Sequence, residues 1–256
     1  MLRPKATVII VHGAFEHSKR YSHVIERLEQ DGYRVITGDL PGQGESEGKR
    51  GHIKSFDDYL HKVMEWINEA EDEIPLFVLG HSMGGLIVIR FMQKLQPHLD
   101  GVILSSPALG LGQRASKPME IAGRVLNKVC PGLLVSSPVK PEMVTNNPEV
   151  IESYQTDELM LKKVSVRWYR EFQKAIQLAF KHAGSFPGLP LLVMQAGKDV
   201  IVDAQKTYEW FHLIKTEEKM YKEWPLFYHE LFNEGEWEQA YLYMLNFMEQ
   251  QLSSRK

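Results

Sequence analysis

The chain has 256 residues, long enough to bury a sizeable core without disulfides or a structural metal. Hydrophobic residues make up 43% and charged ones 25%, a balance that excludes a disordered or collagen-like chain. A net charge of −3 gives no electrostatic case for a dedicated nucleic-acid binder, and one cysteine, Cys130, excludes an internal disulfide framework or a multi-cysteine metal site.

The first apolar run, 8–11, reads as the heart of a buried strand. It is too short for a signal-peptide core and leads into His12-Gly13 with no small-residue cleavage site. No stretch reaches the roughly 18 unbroken apolar residues of a membrane span. The expectation is a cytoplasmic protein, with peripheral contact at the inner face of the membrane compatible with it.

A helix over 21–30 and a strand over 33–38 follow. A helix is expected over 56–70, with Ser55 as N-cap and Asp57 and Asp58 in its first turn, then a strand over 76–79, a helix over 83–95 and a strand over 101–104. This alternation predicts a parallel sheet with helices on both faces. The rhythm breaks between Pro107 and Ser185, where only helical patterns over 119–129 and 158–183 stand out, with prolines between them. It returns with strands over 191–195 and 219–224 and helices over 204–214 and 234–252. The expected organisation is a core of residues 1–106 and 186–256, with 107–185 as a helical insertion lying over it.

That insertion carries eleven Lys and Arg against seven Asp and Glu, while the remainder holds 19 against 26. Its second helical stretch places Trp168, Phe172, Ile176 and Phe180 at i, i+4 spacing. The simplest reading is a core stripe. The sharper one is a stripe that lines an acyl pocket or meets a lipid surface, with Arg167, Arg170 and Lys174 near anionic headgroups.

Gly80-His81-Ser82-Met83-Gly84 fits G-x-S-x-G, with a strand running into it and an apolar helix running out. A serine on such a turn is forced into the open as a nucleophile; an ordinary turn with Ser82 as N-cap is the weaker reading. Serine needs a histidine base and an acid that orients it, and after such an elbow the chain order is serine, acid, histidine. Of the later histidines, His98 lies just past a helix, His182 ends one and His212 lies within one. His229, just after the last strand, is the expected base. Asp199, in the turn after the 191–195 strand, is the expected acid. Asp203 is the rival, though its place before a helix suits an N-cap better. An oxyanion hole would use the amide of Met83 and one from the loop after the first strand, with Ala14 the candidate. His12 reads as a loop-shaping residue bonded to backbone. The stretch 38–46 lacks the lysine of a phosphate loop and reads as a structural turn. No histidine spacing argues for a metal site, and the expected chemistry uses no cofactor.

His12-Gly13-Ala14-Phe15-Glu16-His17-Ser18 with Arg20-Tyr21, the stretch 38–48, Gly80 to Gly85, Val166-Arg167-Trp168-Tyr169-Arg170-Glu171 and Tyr228-His229-Glu230 resemble the monoacylglycerol lipase and lysophospholipase branch of the α/β-hydrolases. The bacterial members look closest, and the likeness runs over nearly the whole chain. The resemblance implies an α/β-hydrolase fold with a helical cap, Ser82, Asp199 and His229 as triad, and oxyanion amides at Ala14 and Met83. It also puts Glu16 and Arg20 near the substrate's polar head. Two departures stand out: the family's leading antiparallel hairpin looks shortened or absent, and Ala196 stands where a glycine is usual before the acid.

The expected activity is hydrolysis of the acyl ester of a single-chain lipid, a monoacylglycerol or a lysophospholipid, through an acyl-enzyme. The alternatives are a phospholipase acting on diacyl lipid, a short-chain carboxylesterase, an acyltransferase and a non-catalytic lipid-binding relative. The expected partner is a small lipid ester, with membrane contact through the cap; the sequence does not specify an oligomeric state.

Overall fold

The central strands are apolar on both faces, so they are stable only where helices cover both sides. A computed structural model describes residues 3–70, 73–112 and 116–254. Its strands in chain order are β1 (Thr7–Val11), β2 (Arg34–Thr37), β3 (Leu76–His81), β4 (Gly101–Ser105), β5 (Leu134–Ser136), β6 (Lys163–Ser165), β7 (Leu191–Ala196) and β8 (Lys219–Trp224). Six of them form one sheet in the order β2-β1-β3-β4-β7-β8, with every pairing parallel.

Alternate residues feed two apolar layers. Ile9, Val11, Val78, Val102, Leu104, Leu191 and Val193 face one cluster. That cluster takes in α2 (Asp57–Asn68), α3 (Met83–Lys94) and α8 (Ala204–Leu213). Val8, Ile10, Phe77, Leu79, Ile103, Leu192 and Met194 face the other, with α1 (Ser22–Gln30) and α9 (Trp237–Ser253). This is the strand period of two. Every residue of α3 except Arg90 and Lys94 is buried, which explains its unbroken apolar run.

Between β4 and β7 lie α4 (Lys117–Val129), α5 (Pro141–Val144), α6 (Pro148–Thr156) and α7 (Val166–Lys181). The segment is not purely helical as expected: β5 and β6 pair antiparallel, Leu134 with Ser165 and Ser136 with Lys163. Residues 158–165 are strand and loop rather than helix, and α7 starts at Val166 because Ser165 caps it, its hydroxyl accepting from the Trp168 amide at 3.1 Å. The prolines do not break structure throughout: Pro148 opens α6 behind an Asn147 side-chain cap. Ser55 is not the cap of α2; Phe56 holds that position, and Asp58 accepts from the amides of Lys54 and Ser55 instead.

The segment lies over the C-terminal ends of the strands. The Leu161 amide donates to Phe15 O after β1 (2.8 Å), Ser165 to Gly51 O after β2 (2.7 Å), and the Glu230 amide after β8 to Val144 O (2.8 Å). Trp168 and Phe172 of α7 join the same apolar cluster as α3, with Trp168 Nε1 donating to Tyr59 Oη at 2.7 Å. The first half of the aromatic stripe is therefore core and does not face a lipid surface. Arg167 is likewise engaged, its Nε donating to Asn127 Oδ1 of α4 at 2.7 Å.

Candidate active site

β3 ends in glycine and histidine, and the chain turns at once into α3. Ser82 takes up the reversal with φ 52° and ψ −116°, a region side chains with a Cβ avoid, at about 1–3 kcal/mol. The surroundings hold it there. Its amide donates to Ser105 O (2.9 Å), and its carbonyl accepts from Leu86 (3.1 Å) and Ala108 (2.9 Å). Gly84 lets α3 press on β1: a Cβ there would lie 2.6 Å from His12 O and nearer still to Val11 O.

His229 Nε2 is 2.8 Å from Ser82 Oγ, and His229 Nδ1 is 2.7 Å from Asp199 Oδ2. Asp199 Oδ1 accepts from the amides of Ile201 (2.9 Å) and Val202 (3.0 Å), which pins the carboxylate in the turn after β7. Burial works against charge on Asp199, but His229 and those two amides hold its pKa below the ordinary carboxylate value. Burial likewise opposes charge on His229, and the Asp199 carboxylate outweighs it, raising the imidazole pKa above 6.5. Asp203 does something else: its side chain caps α8 by accepting from the Lys206 amide at 3.3 Å.

The β1 loop closes on the elbow. A Cβ on Gly13 would stand 3.2 Å from Ser82 Cβ, which puts the Ala14 amide in the loop beside the nucleophile. Met83 supplies the first amide of α3 at the same place. Among the described residues neither amide donates a hydrogen bond within the protein. Phe15, with φ 70°, is fixed from both sides, its amide donating to Gln43 Oε1 (2.6 Å) and its carbonyl accepting from Leu161. His12 is a loop-shaping residue: Nδ1 is 2.9 Å from Gly13 O, and Nε2 accepts from the Leu40 amide at 2.9 Å. Burial lowers its pKa, so it is held neutral. The 38–46 stretch wraps around Asp39, which accepts from Ser18 and Glu45, as a structural turn would.

Glu16 and Arg20 lie behind His229 rather than on an open surface. Arg20 Nη2 donates to Glu230 Oε2 at 2.5 Å, and its Nε is 3.4 Å from Glu16 Oε2. The Arg20 side chain is 6% exposed. Glu16 Oε1 accepts from the Gly13 amide and from Tyr21 Oη (2.9 Å). Burial opposes charge on Arg20, but Glu230 and Glu16 overcome it and keep the guanidinium charged. Sequence reasoning missed Glu230 and Gln43. Tyr228-His229-Glu230 was the only signal for the former, and a carboxylate beside a histidine reads the same in sequence whether buried or solvated.

A cavity of about 490 Å³ lies between α4, α7 and α8, with Leu109, Leu111, Tyr169, Ile176 and Phe180 as its apolar wall. The second half of the α7 stripe thus lines a cavity. Leu109 follows Ala108, which bonds Ser82 O. Among the described residues there is no cluster of His, Cys, Asp and Glu that could hold a metal ion.

A serine at a strand-to-helix elbow, facing a histidine and an aspartate above an open parallel sheet, defines the α/β-hydrolase class. The chain belongs to the hydrolase family described as serine aminopeptidase S33, whose model matches residues 3–236, and within it to the monoacylglycerol lipase branch of the α/β-hydrolases. It is 46% identical over 241 residues to phospholipase YtpA of Bacillus subtilis (strain 168), covering 93% of each chain. It is 30% identical to the monoacylglycerol lipase of Mycolicibacterium smegmatis, over 91% of this chain and 84% of that one. The crystal structure of Paleococcus ferrophilus monoacylglycerol lipase superposes with a TM-score of 0.88 at 31% identity, over 98% of this chain and 95% of the other. The chain is a carboxylic ester hydrolase of lipase type.

Proposed function

We propose that the enzyme hydrolyses the acyl ester of a single-chain lipid, a monoacylglycerol or a lysophospholipid, through an acyl-enzyme on Ser82. The acyl-enzyme route rests on the unbroken hydrogen-bond line from Ser82 through His229 to Asp199, and the single-chain substrate on the likeness to monoacylglycerol lipases. Ser82 Oγ attacks the ester carbonyl while His229 Nε2 takes its proton. Asp199 holds Nδ1–H and stabilises the imidazolium. The amides of Ala14 and Met83 receive the oxyanion. His229 then protonates the departing alcohol, and water enters by the reverse sequence to release the fatty acid. This route needs no cofactor.

In this reading residues 107–185 act as the cap, and the cavity beside Leu109 takes part of the acyl chain, its size being in the range of small-molecule pockets. Glu16 and Arg20, buried behind His229, back the polar end of the slot rather than line it. α4 supplies membrane contact: none of its residues is buried, and Met119, Ile121, Val125 and Val129 are all exposed. A second reading, removal of one chain from a diacyl phospholipid, is favoured by the 46% identity to a phospholipase.

Fatty-acid release from monooleoylglycerol, a monooleoyl lysophospholipid and a dioleoyl phospholipid, measured side by side, separates these readings. The expected result is turnover of one or both single-chain lipids above the diacyl lipid. Ser82→Ala is expected to abolish release with an unchanged circular dichroism spectrum, and wild-type release by that variant would sink the nucleophile.

A further inference from the structure

Glu230 follows His229 in the chain, is buried, and has no part in the proton relay. Its contacts run in three directions. Oε2 accepts from Arg20 Nη2 at 2.5 Å and from Asn233 Nδ2 at 2.9 Å, and its amide donates to Val144 O of α5 at 2.8 Å. The backbone on either side of His229 is held as well. The Tyr228 amide donates to Glu234 Oε1 (2.8 Å), and Thr145 Oγ1 donates to Asn233 O (3.0 Å).

Followed the other way, the contacts reach the oxyanion loop. Arg20 meets Glu16, and Glu16 accepts from the amide of Gly13, the residue before Ala14. A continuous buried line thus joins Gly13, Glu16, Arg20, Glu230 and the His229 loop. Arg20 also lies over the Tyr154 ring of α6, 5.2 Å from its centroid.

Resting on the triad reading above, we infer that Glu230 is a positioning residue for the catalytic histidine: with Arg20 and Glu16 it ties the His229 loop to the oxyanion loop and sets a carboxylate behind the imidazole. The bridge sets two glutamates against one guanidinium: burial and the neighbouring Glu230 push the Glu16 pKa up, while Arg20 outweighs burial and holds that of Glu230 down, so the charge resides on Glu230. The charged and titratable groups around His229 and this bridge are Asp199, Glu230, Glu16, Arg20 and His81, with Tyr21 on Glu16 and Tyr154 under Arg20. The His81 ring lies 4.8 Å from that of His229; burial and the neighbouring imidazole lower its pKa to about 3, so it stays neutral. Asp199 and, behind it, Glu230 favour the imidazolium against burial. The two loops must keep their separation within a fraction of an ångström for proton transfer and oxyanion binding to act together.

The test compares Glu230→Gln and Arg20→Gln with wild type by ester hydrolysis across pH and by fluorophosphonate labelling, with Ser82→Ala alongside. Glu230→Gln removes charge at nearly constant shape. Its kcat is expected to fall about tenfold or more at nearly unchanged KM. The acid limb of its kcat/KM profile is expected to move down by up to about one pH unit. Arg20→Gln leaves the Glu230 carboxylate uncompensated and is expected to move the limb up. Wild-type kcat and an unmoved limb in Glu230→Gln would overturn the inference, as would a change confined to KM, which would make Glu230 a substrate contact. If Glu230→Gln does not fold, Asn233→Ala keeps both charges and is expected to lower kcat without moving the limb; wild-type kcat there would also overturn it. Labelling that persists in Ser82→Ala would instead overturn the triad reading.

Discussion

Two aspartates four residues apart, Asp199 and Asp203, compete on sequence for the same role, and their hydrogen bonds part them. Asp199 faces His229 Nδ1 and is fixed by two backbone amides; Asp203 spends its carboxylate on the first turn of α8. The expected consequences differ in kind. Asp199→Asn keeps the shape but lets the imidazole take the wrong tautomer, so kcat/KM is expected to fall by about 10⁴ with little loss of stability. Asp203→Ala is expected to cost about 1 kcal/mol in a denaturant melt with turnover nearly intact. The reverse outcome would transfer the acid to Asp203. The pH profile adds a sign. His229 must be neutral to accept the serine proton, and Asp199 raises its pKa above 6.5 despite burial. Activity is therefore expected to fall as pH drops through a value above 6.5, and residual activity in Asp199→Asn to persist to lower pH. An acid limb below 6 in the wild type would contradict this.

At the scale of elements, what could be read in advance follows from how strongly each segment signals its period. The strands of the main sheet and the helices 57–68, 83–94 and 204–213 are long, patterned and bounded by turn residues, and they stand within a few residues of expectation. The positions of Ser82, Asp199 and His229 were legible because each sits just beyond such a strand. β5 and β6 were not legible, because each is three residues long and their pairing spans 26 intervening residues. α6 was hidden by a proline that opens it. The burial of Glu230 depends on Arg20, 210 residues away, and no local pattern carries that. α4 is the element whose pattern matters most outside the core. Ile121, Val125 and Val129 recur at i, i+4 and stay exposed, with Lys117, Arg124 and Lys128 on the same helix. Under the proposed membrane role of α4, Ile121→Asp with Val125→Asp is expected to weaken sedimentation with phosphatidylglycerol vesicles severalfold, because charge replaces the exposed apolar face, while hydrolysis of a short soluble ester is retained. Undiminished vesicle binding would remove α4 as the contact.

For the whole molecule, the main question is whether the segment between β4 and β7 is a separable cap or part of one cooperative body. Its polar contacts reach the loops after β1, β2 and β8, and α7 inserts Trp168, Phe172, Ala175 and Ala179 into the cluster that also contains α3 and the sheet face. Trp168 stacks on Phe172 with centroids 5.1 Å apart and is tied to Tyr59 of α2 by its indole N–H. A helix that shares its apolar face with the core cannot detach without exposing that face, so unfolding of the segment and of the sheet should be one event. Phe172→Ala tests this directly. Truncation of a buried phenylalanine costs about 3–5 kcal/mol, which for a chain of this size lowers the melting temperature by roughly 10 °C. The loss is expected to appear as one shifted transition, with circular dichroism and esterase activity falling together. If activity were lost at a lower temperature than the bulk of the helical signal, α7 would be separating from a sheet that stays folded, and the segment would be a domain of its own. Coincident loss would mean that the catalytic loops and α7 share one folding unit, with α4 and α6, neither of which has a buried residue, packed on its outside.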